Sequence, residues 1–348
     1  MKKFVWDIEK IREIQKSLDN SEIKKNSNLY EELKEVYKIL LSSYKKNNYN
    51  DFQLDEYLPS NFKEYFLEEI LPFINMEALL ILEKIKPKIK NCKPFQQACY
   101  EAKIKFNNEE LFEIISMFFK SIPNKELYNS FLELTDYKKG LINIQYVKDS
   151  NNCHGFCIVD SYNHIPYINV LRNNTALDLA ALFHEIFHMI VRCNETPNHI
   201  NSKSTIYDEA EGYFSNLLIC DLAVQNGFDN RYFDFITTND LLSSILSFQY
   251  IDGTISFIKN IENNPNIDEF VNPYIDEDIS TAFSYLCALD FYNLYKNDPE
   301  GTINNILKLA SLKGENIQDE LSNVGISFFD DNCTNLKNHY YKIKRMKN

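Results

Sequence analysis

Glycine is scarce in this chain. Only 8 of its 348 residues are glycine, roughly a third of what an average composition of about 7% would supply. Tight two-residue hairpins draw heavily on glycine, so with 10 prolines as the other turn formers the balance tips toward helices. Basic charge is also in deficit. Lys and Arg number 37 against 50 Asp and Glu, a net charge of −13, which argues against a surface that tracks a phosphate backbone. The one basic stretch is the tail, Lys337, Lys342, Lys344, Arg345 and Lys347, read as a solvated terminus. No run of about 18 apolar residues occurs, so no membrane-spanning helix is expected. Asp7 and Glu9 interrupt any apolar stretch near the N-terminus, so no secretory leader is expected either. The 8 cysteines contain no C-x-x-C pair, which removes a zinc ribbon or a thioredoxin-like motif. Free thiols in a reducing cytoplasm are the expectation.

What is present is a chain 44% hydrophobic and 14% aromatic, the make-up of an ordered globular protein. Residues 1–139 read as helical. Leu29, Leu33, Val36, Tyr37, Leu40, Leu41 and Tyr44 form a 3.6-period stripe, and others follow at Phe62–Ile70 and Leu111–Phe119. Pro72, Pro87, Pro94 and Pro123 punctuate them. Residues 140–330 begin differently. Leu141–Val147 alternates with period two, and Phe156–Val159 and Tyr167–Val170 are short β-type runs. A helix is then predicted from Thr175 to Arg192, with Thr175-x-x-Asp178 as a capping-box-like start. Another is predicted to open at Thr205-x-x-Asp208, and further helices run to about 325, with 331–348 as the basic tail.

The chemistry sits in the first of these two helices. His184-Glu185-Ile186-Phe187-His188 is an H-E-x-x-H sequence. Positions i and i+4 share a helix face, so both imidazoles can reach one ion with Glu185 beside them as a general base. A catalytic zinc site of this type takes a third protein ligand. Asp208, Glu209 and Glu211 are the candidates. Asp208 is expected to cap the helix. The inward stripe Ile206, Ala210, Tyr213, Leu217, Cys220 and Val224 carries Glu209 with it and leaves Glu211 on a solvated face. Glu209 is therefore preferred.

These segments resemble the M3 zinc metallopeptidases, in particular the oligoendopeptidase F branch. The family carries a Gly-Ala-aromatic strand, a strand ending in Asn-x, an H-E-x-G-H helix and then E-x-A-S-x-x-x-E. This chain has His154-Gly155-Phe156-Cys157, Pro166-Tyr167-Ile168-Asn169-Val170, the H-E-x-x-H, and Glu209-Ala210-Glu211-Gly212-Tyr213-Phe214-Ser215-Asn216. The stretch Ala282–Phe328 also resembles the family's C-terminal end. The resemblance covers about residues 140–328. It implies a mainly α fold, two helical lobes around a substrate cleft, with a small β-sheet next to the H-E-x-x-H helix and residues 1–139 as one wall. It implies Zn²⁺ on His184, His188 and Glu209, and a peptide substrate lying along the sheet edge near residues 155–170. Phe187 stands where the family has Gly, and the chain is shorter than typical members. The segment Glu277–Thr281, where the family's tyrosines would fall, has neither Tyr nor His. Tyr274 and Tyr285 flank it and are candidate oxyanion donors, with His154 as an alternative.

Three functional readings follow. The first is a cytoplasmic zinc peptidase acting on short or unfolded peptides, without nucleic-acid or membrane partners. The second is a regulatory H-E-x-x-H protease dedicated to one protein, a pattern that Glu209-Ala210 and Leu217-Leu218 fit loosely. The third is a zinc-containing peptide-binding protein with weak catalysis.

Overall fold

The computed structural model describes residues 17, 30–31, 66–74, 76, 106–136, 139–146, 155–159, 165–172, 176–193, 207, 209–228, 236–237, 240–241, 243–252, 275–312, 317–327, 334–335 and 337–338. The chain divides into two compact units. One is Met1–Pro72 with Leu246–Ile279, and the other is Phe73–Ile245 with Ser280–Asn348. The described residues are mainly helical, with one small sheet. None of their helices is long and apolar enough to cross a membrane.

In the first unit a π-helical turn at Phe66–Ile70 leads into helical residues 71–74 at its border with the second. Pro72 therefore does not end the helix as its sequence position predicts. The wider i→i+5 turn ahead of it makes room for a residue that has no N–H to give and whose ring crowds the preceding turn. The stripe at 29–44 lies outside the described residues, apart from helical Tyr30 and Glu31.

The second unit holds the elements that build the site. Helix α1, Asn108–Ser121, starts with a reciprocal capping box between Asn107 and Glu110. It buries Leu111, Ile115, Phe118 and Phe119, as its stripe predicts. Pro123 falls in the break before α2, Lys125–Leu134, which is capped by Asn124. Three strands follow, β1 Ile142–Tyr146, β2 Gly155–Val159 and β3 Pro166–Arg172, close to their predicted places. They form a sheet in the order β1-β3-β2. β1 runs parallel to β3 with Ile142 opposite Ile168, and β2 runs antiparallel to it with Cys157 opposite Ile168.

Helix α3, Ala176–Arg192, lies against β2 and β3 and buries Cys157, Ile168 and Val170 beneath it. On its other sides it meets α1, α2 and α4, Ala210–Gln225. Phe187 fills this junction. Its ring packs against Phe119 at 5.7 Å, Phe183 at 5.6 Å and Phe214 at 5.9 Å. A glycine there would leave a void the size of an aromatic side chain between three helices, so Phe187 serves the packing of this junction. Helices α5 Ile275–Tyr295, α6 Pro299–Leu307 and α7 Ile317–Asn323 complete the described fold. Residues 282–291 of α5 are buried without a break, which places it centrally.

Candidate metal centre

α3 presents His184 and His188 one turn apart, and the N-terminus of α4 brings Glu209 to them. The two Nε2 atoms are 2.9 Å apart. Glu209 Oε2 is 3.1 Å from His188 Nε2 and 3.5 Å from His184 Nε2. Each Nδ1 faces away from this point onto an acceptor. His188 Nδ1 lies 3.0 Å from Glu211 Oε1, and His184 Nδ1 lies 3.2 Å from Asn216 Oδ1.

Those outer contacts decide what the inner atoms are. A carboxylate or an amide oxygen can only accept, so each Nδ1 carries the proton and donates it. Both Nε2 lone pairs then converge on one another and on a carboxylate oxygen. Three electron-rich atoms so arranged could hold a cation between them. Zinc bonds of about 2.0–2.2 Å in a tetrahedron hold ligand atoms roughly 3.3–3.6 Å apart, close to the spacing seen. The donor set fits zinc: two imidazoles and one carboxylate. In the bare protein a proton serves the same purpose. Burial disfavours charge on His188, but Glu209 and Glu211 outweigh it and push its pKa up to about 10. Burial likewise works against the charge on Glu209, yet His188 and His184 hold it well below the ordinary carboxylate range.

Two glycines let backbone approach these side chains. A Cβ on Gly212 would stand 2.4 Å from His184 Cε1 and 2.8 Å from His188 Nε2. A Cβ on Gly155, at the start of β2, would stand 2.5 Å from Glu185 Cγ. Glu185 is buried between β2 and the imidazole pair, and burial raises its pKa, with His184 and His188 opposing only in part. Arg192, one turn beyond His188, donates from Nη1 to the Cys157 carbonyl at 2.8 Å and brings Nη2 to 4.0 Å from Glu209 Oε1. It therefore ties β2 to the same carboxylate. The Glu209 amide donates to Ser284 Oγ at 3.2 Å, which docks α5 at the head of α4.

His184, Glu185, His188 and Glu209 thus lie together in space. Tyr285 is wholly buried on α5, its ring meeting Tyr213 edge-on at 5.7 Å. Tyr274 and His154 lie outside the described residues. Glu211 departs from expectation: it is 4% exposed, not solvated. α4 begins at Ala210, later than the Thr205 start predicted, so its first turn is pressed onto α3. Glu211 pays for burial through its bond to His188, which keeps it ionised, with its pKa lowered. A signal for this was in the sequence: in the M3 pattern that these segments resemble, Ala stands at the position of Glu211 and Glu at that of Asn216.

No family model matches the sequence, and no curated protein sequence matches it. Solved structures do match the fold. A protein from Bacillus anthracis assigned as oligoendopeptidase F superposes with a TM-score of 0.52 at 14% identity, over 92% of this chain and 64% of that one. A protein from Chlamydophila abortus assigned as a peptidase gives 0.60 at 13% identity, over 89% and 60%. PZ peptidase A, solved with an inhibitor, gives 0.55 at 14% identity, over 97% and 71%. This chain spans less than two thirds of the first two proteins' length. The shared feature is the mainly helical fold of these peptidases.

Proposed function

We propose that this chain is a zinc-dependent peptidase acting on short or unfolded peptides, with His184, His188 and Glu209 as metal ligands and Glu185 as general base. The observation that carries the reading is the convergence of two imidazole lone pairs and the Glu209 carboxylate, 2.9–3.5 Å apart, beside a buried glutamate. The peptidase folds it superposes on support the same reading. Zinc held there supplies Lewis acidity, making water acidic near neutral pH and polarising a carbonyl.

The chain's own residues do the rest. Glu185 takes the proton from the attacking water and delivers it to the leaving amine. Its raised pKa brings it toward the operating pH, where it can do both. β2 pairs with β3 on one side, and among the described residues nothing pairs with its other side. An extended peptide adds to such an edge through main-chain hydrogen bonds. Laid along β2 it would pass Gly155 and therefore Glu185. Phe156 and Ile158, 52% and 55% exposed, offer it apolar contact.

The test measures zinc per chain and cleavage of a fluorogenic peptide set. One zinc, turnover lost on chelation and restored by zinc, and Glu185→Gln keeping zinc while losing about 10²–10⁴ in rate are expected. A wild type without zinc, or Glu185→Gln at full rate, overturns the reading. The burial of Tyr285 favours a second one, a chain that binds peptides without cleaving them; zinc and peptide binding with no turnover would select it.

A further inference from the structure

The two candidate histidine ligands are held differently. His188 faces an ionised carboxylate. His184 faces a neutral amide, and an amide can present either its oxygen or its nitrogen. What decides is the group behind it. Asn216 Nδ2 lies 2.8 Å from Asp240 Oδ2. Both residues are buried, and only the NH₂ end of the amide can donate to that oxygen. The Oδ1 end is then turned to His184 Nδ1.

We propose that Asp240 is a positioning residue for the metal centre, acting through Asn216 to hold His184 in the tautomer whose Nε2 lone pair faces Glu209. The inference rests on the zinc reading for its consequence but not for its geometry. The polarity runs one way along the chain of bonds: His184 Nδ1–H to Asn216 Oδ1, then Asn216 Nδ2–H to Asp240 Oδ2. Reversing the last link reverses the first. With an amide in place of the Asp240 carboxylate the direction is no longer imposed: the amide oxygen can still accept from Asn216 Nδ2, but its NH₂ can equally face Asn216 Oδ1. Asn216 then turns its own NH₂ to His184, which must accept at Nδ1 and carry its proton on Nε2, where no metal can bind.

Burial pushes the Asp240 pKa up to about 7, with Asn216 and His184 opposing and Glu209 adding to the rise. When ionised, as at pH 8, its oxygens can only accept, which imposes the polarity.

The experiment compares wild type, Asp240→Asn, and the exchange variant Asn216→Asp with Asp240→Asn. The exchange places a carboxylate against His184 and an amide behind it, which restores the direction of donation. Zinc affinity is read by competition with a chromophoric chelator. The His184 tautomer is read by ¹⁵N NMR of the metal-free proteins at pH 8. Asp240→Asn is expected to bind zinc about 10- to 100-fold more weakly, the range for partners of metal-ligating histidines. The exchange variant is expected to return to within about threefold of wild type, where loss of packing alone would leave it impaired. Metal-free wild type is expected to show His184 protonated on Nδ1. Unchanged affinity in Asp240→Asn, no recovery on exchange, or an Nε2 proton on wild-type His184 overturns the proposal. Absence of zinc from the wild type overturns the metal reading instead, and the NMR arm still decides this one. Should Asp240→Asn fail to fold, the wild-type tautomer and the exchange variant decide it.

Discussion

Glu211 gives the sharpest quantitative test of the site. Its carboxylate is buried, ionised and 3.0 Å from His188 Nδ1. Glu211→Gln keeps the size and can keep an acceptor, but removes the charge. A hydrogen bond to a charged group contributes about 1.5–3 kcal/mol and a neutral one about 0.5–1.5. The difference of roughly 1–2 kcal/mol corresponds to a five- to thirtyfold loss of zinc affinity. Glu211→Leu removes the acceptor altogether and strands a buried N–H, adding about 1–3 kcal/mol. It is expected to weaken zinc by about a hundredfold or more.

The assay is zinc competition against a chromophoric chelator at fixed pH and salt, with circular dichroism to confirm the fold. The order wild type, Gln, Leu is the expected result, and it follows only if Glu211 acts through the imidazole. If Gln equals wild type, the charge on Glu211 does not reach the metal. If Gln and Leu are equally weak, the loss comes from disturbed packing at the head of α4. Either outcome refutes the reasoning.

The two close-approach glycines are expected to separate metal binding from turnover. Gly212→Ala drives a methyl to 2.4 Å from His184 Cε1, and both imidazoles are anchored at Nδ1, so zinc affinity should fall about 100-fold or more in the same competition assay. Gly155→Ala presses on Glu185 at 2.5 Å instead; kcat on a cleaved peptide should fall about 10²-fold with zinc retained, and loss of zinc would contradict this. Asp240 makes a pH prediction for the metal-free protein. Its folded pKa, near 7, is raised above the unfolded value of about 4, so the stability linked to it is fully present below pH 4 and is lost as pH rises through 7. Asp240→Asn should therefore gain on wild type in denaturant melts from pH 5 to 8, by roughly 2–3 kcal/mol over that range, and a difference that is flat with pH would show the group is not titrating there.

Much of this site was legible because its parts are local. H-E-x-x-H is a spacing on one helix, and a short amphipathic run with a capping signal placed that helix within a residue of α3. The strands were legible for the same reason, since alternation over five residues is a local property. Glu209 could be chosen because it carries a helical face and a family position at once. Glu211 could not be read from a face. α4 buries Glu211, Phe214, Leu218 and Leu222 as well as Ala210 and Leu217, while Val224 of the predicted inward stripe is 52% exposed. A helix buried on nearly all sides has no polar face to mark what is outward.

Asn216 and Asp240 show the deeper limit. They stand 24 residues apart with no pattern between them, and their bond exists only because the fold brings residue 240 against α4. The same holds for Gly155 and Gly212, whose close approach to Glu185 and to the imidazoles is made only by the fold. The candidate ligands are thus a property of one helix and its neighbour, while the groups that set their proton states are a property of the tertiary fold. An anionic partner for His188 and a neutral, externally aimed one for His184 make the two imidazoles unequal. His188 is polarised directly by a charge, whereas His184 depends on an amide that another residue must hold. That places the weaker point of the centre at His184, although the two residues are equivalent within the motif.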